Sequence, residues 1–261
     1  MKLFIKKIIF KLNSILKRYN LRVTIQSTKK LFNFESLSSS EIQKIKKILK
    51  LTMVSEENLI FLVSAIKYLK KNQIEGDYAE TGIWRGGISI LSYQIFSEKF
   101  KKKKHFYLYD TFEGMVKPGK FDKKLNKNLS QVIDKWKKTS KTKEGWNFSS
   151  LNEVKDNIIR ICGKRSLIDF TFIKGKVEKS LKNRKNLPKK ICLLRLDTDF
   201  YHSTKAELKY LFDRVSNGGI IIFDDYSNWL GAKKAIDNFL KNKKYLLCKI
   251  DNNSRFILKC N

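Results

Sequence analysis

The sequence lacks most of the features that would place it at a glance. Its four cysteines, Cys162, Cys192, Cys248 and Cys260, show neither C-x-x-C spacing nor a histidine partner pattern. They are expected as buried, reduced thiols, which argues against a disulfide scaffold or a zinc ribbon. No run approaches the ~20 apolar residues of a membrane-spanning helix. Lysines interrupt the first twenty residues too often for the apolar core of a signal peptide. Arginine is also scarce, nine against 47 lysines. The formal charge of +31 invites a nucleic-acid reading. However, arginine is the residue that reads phosphates and bases through bidentate forks, and the lysines are spread along the whole chain. A compositional bias laid over solvated faces accounts for them, so nucleic acid is not expected as a partner. Finally, neither the phosphate-loop lysine pattern nor a complete G-x-G-x-x-G is present.

What is present points to one α/β domain with additions. The chain has 261 residues and 42% apolar content, enough for a core and too much for a disordered protein. The organising stretch runs from Ile191 to Tyr226. Two short aliphatic runs, Ile191 to Leu196 and Gly219 to Phe223, read as buried parallel strands. Between them a helix is expected from Ser203 to Val215, stopped by Asn217-Gly218-Gly219. A right-handed crossover brings both strand ends to one edge of the sheet, where open α/β sheets bind ligands. The first strand delivers Asp197 and Asp199 there, and the second delivers Asp224 and Asp225. Carboxylates converging with no Arg or Lys beside them in sequence call for a cation. Hard oxygen donors suit Mg²⁺ or a similar divalent ion.

Upstream, residues 1–20 alternate apolar residues with lysines as an amphipathic helix does. It is expected to pack on the domain or a second subunit, with an anionic membrane surface as the alternative. Helices over 41–50 and 55–71 follow, the latter capped by Ser55; with the first they form an N-terminal helical cap, residues 1–75. The main domain, 76–261, opens with a strand at Asp77 running into Glu80-Thr-Gly-Ile-Trp-Arg-Gly-Gly87, a small-residue turn that lets backbone N–H groups approach a ligand. Glu80 is the wrong charge for a phosphate and suits a cationic or hydroxylated ligand. The second strand ends at Asp110, thirty residues after Glu80. An acid there accepts hydrogen bonds from ribose hydroxyls, or else caps the turn Thr111-Phe-Glu-Gly. Residues 111–149 have no clean period and read as a lid, in which Trp136 and Trp146 line a pocket or pack the lid down. A third strand over 169–174, a helix over 231–241 and a hairpin from Tyr245 to Lys259 complete a fold of parallel strands followed by an antiparallel pair.

Five stretches then stand in order: Ala79-Glu-Thr-Gly-Ile-Trp-Arg-Gly-Gly, Tyr109-Asp-Thr-Phe-Glu-Gly-Met, Phe172-Ile-Lys-Gly, Leu194-Arg-Leu-Asp-Thr-Asp-Phe-Tyr-His-Ser-Thr and Gly218-Gly-Ile-Ile-Ile-Phe-Asp-Asp-Tyr. Together they resemble the macrocin O-methyltransferase (TylF/MycF-like) family over roughly residues 59–239. The resemblance implies an α/β, Rossmann-like class I methyltransferase: a doubly wound, mostly parallel seven-stranded sheet with a C-terminal antiparallel hairpin, a helical cap and a lid. It implies S-adenosyl-L-methionine and Mg²⁺ as cofactors and a sugar hydroxyl of a glycan, glycolipid or glycosylated metabolite as acceptor. By position, Asp197, Asp224 and Asp225 match the metal ligands. Glu80, Thr81, Gly82, Trp84, Arg85, Gly86 and Gly87 match the cofactor turn, and Asp110 with Thr111 the ribose end. Asp197, Asp225 and His202 are the candidate catalytic residues, His202 as base or as a solvated cap. Thr198 stands where the family usually has glycine, and His202 where glutamate is common. Asp199 is expected to bond the turn at Ser203-Thr204.

A cytoplasmic protein fits this reading, with peripheral contact at the inner membrane face and homo-oligomer contact as the two options for its first helix. The competing readings are a same-fold enzyme acting on another small-molecule hydroxyl and an RNA or protein N-methyltransferase. The latter expects Asn/Asp-Pro-Pro-Tyr where this chain has Asp197-Thr-Asp-Phe-Tyr. A non-catalytic, basic membrane- or polyanion-binding protein is the third, countered by the full carboxylate set.

Overall fold

The computed structural model describes residues 37–99, 103–140 and 145–260. The helix expected over 1–20, with its membrane or subunit contact, lies outside the described residues. Residues 36–261 form one compact unit.

Local signals set the first helices. Helix α1, Ser39–Ile48, starts at Ser38, whose hydroxyl accepts from the Glu41 N–H while Glu41 reaches back to the Ser38 N–H at 2.8 Å; the two exchange otherwise orphaned donors. Helix α2, Glu56–Lys71, has the expected Ser55 cap and acidic first turn. Its face of Leu59, Leu62, Val63, Ile66 and Leu69 is buried. Both pack against α3, Gly87–Lys99, which leaves strand β1, Asp77–Thr81. Then come β2, Phe106–Asp110; α4, Leu129–Thr139; α5, Leu151–Cys162; β3, Phe170–Lys174; and the single turn α6, Val177–Ser180. The chain continues through β4, Ile191–Leu196; α7, Tyr201–Leu211; β5, Val215–Phe223; α8, Leu230–Leu240; β6, Cys248–Lys249; and β7, Arg255–Leu258.

The seven strands form one sheet in the order β3-β2-β1-β4-β5-β7-β6. The first five are parallel, while β7 runs antiparallel to β5 and β6 antiparallel to β7. Strand order reverses between β1 and β4, and the crevice beyond the carboxyl ends of those two strands is the topological switch point. Every residue of β4 is buried, including Arg195.

Four expectations need correction. Helix α7 stops at Leu211, a 3₁₀ turn follows over Phe212–Arg214, and Asn217-Gly218-Gly219 lies inside β5. Gly218 serves the strand there: it has φ +76° and passes so close to Ile74 that a Cβ would sit 2.7 Å from that side chain. The hairpin is shorter than expected, β6 having only two residues. The lid contains a helix, α4, whose Asn128 cap and Gln131 exchange hydrogen bonds; the signal was the Asn-x-x-Gln spacing ahead of Val132 and Trp136. Of the cysteines, all free, only Cys192 is buried, and Cys260 is exposed. Burial pushes the thiols of Cys162 and Cys192 up to about 12, so neither supplies a thiolate.

Candidate active site

The parallel ladder runs one residue past the strands and brings the key positions side by side. Gly82 N–H donates to the Tyr109 carbonyl at 2.8 Å, Asp197 N–H to Thr81 at 3.0 Å, and Asp224 N–H to Leu196 at 3.0 Å. Gly82, at φ +79°, leaves so little room that a Cβ would lie 1.9 Å from the Asp197 carbonyl oxygen. The glycine turn after β1 and the carboxylates after β4 are therefore in direct contact.

Beneath them lies a charge that sequence reasoning overlooked as a partner. Arg195, inside the apolar strand β4, donates from Nη1 to Glu80 at 3.0 Å and Asp197 at 2.7 Å, and from Nη2 to Asp224 at 2.7 Å. The expected need for an outside cation is thus partly met from within. Burial works against the guanidinium charge, but Asp197, Asp224 and Glu80 outweigh it and hold its pKa well above the ordinary value. Glu80 is fully engaged: Oε1 accepts from Arg195, and Oε2 from the hydroxyls of Tyr78 and Ser89. It braces the turn from below instead of facing a ligand. The signal was available, since an arginine in a six-residue apolar strand must find buried partners.

Asp224, expected among the metal ligands, is held from beneath through one oxygen. Its Oδ1 is taken by Arg195, with Asn58 of α2 at 3.4 Å and Ser254 at 3.5 Å. The carboxylates that close on one another are Asp197, Asp199 and Asp225, each with an oxygen within 4.8 Å of the others. Asp199 has φ +65°, which turns it into this group; the turn at Ser203 is instead held by the Ser203 hydroxyl on the Thr198 and Phe200 carbonyls. Burial, then the charges of neighbouring carboxylates, pushes Asp197 and Asp225 well above the carboxylate range and Asp199 to about 7, against the opposing pull of Arg195 on Asp197. Three half-buried carboxyls that resist ionising together are a donor set that fits a hard divalent cation.

The glycine turn is held by Asp110. Its Oδ2 accepts from Ile83 N–H at 2.6 Å and Trp84 N–H at 3.3 Å, and its Oδ1 from Phe112 N–H at 2.8 Å and the Thr111 hydroxyl at 3.4 Å. All its acceptor sites are used, so the turn-capping role is the one whose contacts are present. Thr81 is buried on the Arg195 carbonyl, 3.4 Å away. Arg85 pairs with Glu153 at 3.0 Å, and Gly87 packs so tightly on Leu51 that a Cβ would meet its carbonyl at 2.4 Å.

The lid is fastened over this edge. Lys124 forms a bridge with Trp229, flanked by hydrogen bonds from Leu230 to Lys123 and from Leu125 to Asn228. Trp229, Phe200, Trp146, Val132 and Ala232 make a second apolar cluster joining lid and sheet edge. Trp136 and Trp146 line a cleft of about 360 Å³ with Glu113, Met115 and Phe148. Asp122, buried and unnoticed in the sequence, accepts from Gly119 N–H at 2.7 Å and Tyr201 N–H at 2.8 Å. His202 is exposed, its ring 5.3 Å from that of Tyr201, and makes no hydrogen bond to the described residues. A Cβ on Gly231 would fall 2.2 Å from Asp122 Oδ1. Gly231→Ala is therefore expected to push Asp122 off the α7 N-terminus and cost about 1–3 kcal/mol, measured by urea denaturation.

Glu207 of α7 is buried under the β4 end. Thr198 donates to its Oε1 at 2.7 Å, while Oε2 has no partner. Burial raises its pKa from 4.5 to about 7, against the lowering effect of the Thr198 hydrogen bond. The folded protein thus holds this proton more tightly than the unfolded chain does, so stability falls as pH rises from about 4.5 through about 7. Glu207→Gln is expected to remove that loss, on the order of 3 kcal/mol. Thermal melts of both proteins at pH 4 and pH 8 measure it, on the acid and alkaline sides of that window.

Comparison with known proteins bears on the family and the fold. A 4'-O-methyltransferase for a rhamnosyl-tetracenomycin from Streptomyces olivaceus is 29% identical over 178 residues, 67% of this chain and 62% of that protein. Mycinamicin III 3''-O-methyltransferase from Micromonospora griseorubida is 24% identical over 180 residues, 67% of this chain and 65% of that one. The aligned region therefore spans under two thirds of either relative. The solved O-methyltransferase NovP superposes with a TM-score of 0.67 at 24% identity, covering 80% of this chain and 82% of NovP. The sheet is that of a class I methyltransferase. The profile of the macrocin-O-methyltransferase (TylF) family matches residues 13–259, and the chain belongs to that family.

Proposed function

We propose that the protein transfers a methyl group from S-adenosyl-L-methionine to a hydroxyl of a sugar-containing acceptor, with a divalent cation, Mg²⁺ by donor type, held by Asp197, Asp199 and Asp225. The observation that carries the reading is the closure of these three carboxylates at the switch point, in contact with the glycine turn through Gly82. The relatives' names, both O-methyltransferases of glycosylated compounds, support the acceptor class. When bound, the cation supplies Lewis acidity, lowering the pKa of a hydroxyl that is otherwise a poor nucleophile.

The chain's own residues do the rest. Residues 82–87 hold the methyl donor at the end of β1. Asp110 fixes the shape of that turn, and Arg195 fixes Asp197 from beneath. The lid excludes water from the edge and holds the acceptor in line with the donor. Proton acceptance falls to the carboxylates and not to His202, which has no bond to them. No described helix is long and apolar enough to cross a membrane. Peripheral membrane or subunit contact through residues 1–20 rests on their alternation of lysine and apolar residues.

Calorimetric titration of S-adenosylmethionine, with and without Mg²⁺, on the wild type and Asp225→Ala tests this. Cofactor binding by both proteins, with the metal response lost in the variant, is expected. No cofactor binding by the wild type would sink the proposal.

A further inference from the structure

Three lysines of the lid, one of them over the Trp146 ring that lines the cleft, have no ion pair among the described residues. Lys124 is fixed by the backbone pairing of residues 123–125 with 228–230, just beyond β5. Its ammonium lies 4.5 Å over the Trp229 ring. Lys135 of α4 lies 4.1 Å over Trp146, and the two indoles are 5.9 Å apart. Lys127 closes the turn onto Lys124, its N–H donating to the Lys124 carbonyl at 3.2 Å. Among the described residues none of the three has an ion pair or a hydrogen bond from its ammonium group. The acid that lines the cleft, Glu113, is paired with Lys174 at 2.9 Å.

The group is tight enough for the charges to act on one another. Burial, then the charges of Lys124 and Lys127, lowers the Lys135 pKa. Like charges held together are stabilised by an anion placed among them. A neutral acceptor would leave them uncompensated, whereas a diphosphate presents several strong acceptor oxygens, and lysine binds such groups as a point charge. The tryptophan walls provide the apolar surface that ligand clefts use for orientation.

We propose that the acceptor enters with a phosphate or diphosphate, which Lys124, Lys127 and Lys135 hold while its sugar lies along the Trp146 side of the cleft. This rests on the methyltransferase reading for the identity of the acceptor, though not for the anion site itself.

The probe is inorganic pyrophosphate, titrated calorimetrically in the presence of a chelator into three proteins: wild type, Lys124→Gln/Lys135→Gln, and Lys185→Gln/Lys189→Gln. The last removes the same charge from an exposed surface elsewhere, so a merely basic protein would respond equally to both pairs. Affinity is expected to fall roughly tenfold or more in the lid pair alone, the scale of losing charge-assisted contacts. An equal fall in both pairs, or none in the lid pair, overturns the proposal. Should the lid pair fail to fold, Lys127→Gln, whose exposed side chain contacts no ring, is expected to weaken binding several-fold, and unchanged binding overturns the proposal. Competition by uridine diphosphate and by farnesyl diphosphate then separates a nucleotide-borne from a lipid-borne phosphate. S-adenosylhomocysteine is titrated alongside: its failure to bind would count against the methyltransferase reading, and a pyrophosphate site insensitive to the lid lysines against this one.

Discussion

Arg195→Met lowers the free energy of unfolding by about 3–5 kcal/mol, the range found when one partner of a buried ion pair is removed. The arginine is buried beneath the site and serves three carboxylates at once, Glu80, Asp197 and Asp224. Methionine fills much of the volume and answers none of them. Glu80 suffers most, since it is itself buried and keeps only the Tyr78 and Ser89 hydroxyls. A small domain has only about 5–15 kcal/mol in total, so the variant is expected to unfold at a much lower urea midpoint or to collect in inclusion bodies. A loss under about 1 kcal/mol would show that the carboxyls are held neutral and that the guanidinium does not anchor them. Glu80→Gln separates the terms. It keeps the hydroxyl contacts and frees the arginine for the two aspartates, so it is expected to cost less.

Gly82→Ala comes second and acts on both halves of the site. At φ +79° an alanine costs about 1–2 kcal/mol in backbone strain alone. Its methyl group would also stand 1.9 Å from the Asp197 carbonyl, and forcing the strands apart adds about 1–3 kcal/mol. The strand ends can only part by lengthening the Asp197–Thr81 hydrogen bond, which moves the glycine turn away from the carboxylates. Folded material recovered at low temperature is therefore expected to lose S-adenosylmethionine affinity as well as stability, read by calorimetry and thermal melting. A variant that melts normally and binds the cofactor normally would show that the contact is not what unites the two sites.

The sheet was legible because its evidence is local. Apolar runs of strand length, Ser55 before an acidic first turn, and the carboxylates after β4 and β5 can each be read without knowing what lies opposite. What was not legible depends on the third dimension. Glu80 and Asp110 have the positions of ligand-facing acids, yet one is consumed by Arg195, 115 residues later, and the other by N–H groups 26 and 27 residues earlier. The exchange of Asp224 for Asp199 in the carboxylate group turns on one left-handed residue, which no spacing rule foresees. Helix α4 was missed for a different reason. Its cap was readable, but Lys135, Lys137 and Lys138 in its second half hid a stripe of only a few apolar residues. Asp122 looks in sequence like one more solvated acid in a basic loop, and its importance lies wholly in the two amide groups it meets.

The N-terminal end of α2 has a consequence for how the protein is made. Ser55 donates to Asp251 at 2.5 Å, and Asn58 donates to Ser254 at 2.7 Å and reaches Asp224 at 3.4 Å. Ser55 and Asp251 are separated by 196 positions. At roughly 5–20 residues per second, the ribosome completes α2 about nine seconds or more before these partners exist. Strand β7, which must enter beside β5, arrives with them. A nascent chain halted before residue 251 can hold β1 to β4 in place, yet the contacts of Ser254 to Asp224 and Asn58 and of Asp251 to Ser55 are still missing. The proposed methyl-transfer centre is thus among the last parts of the protein to become complete, and slowed synthesis would prolong the time for which Asp224 lacks its Ser254 contact.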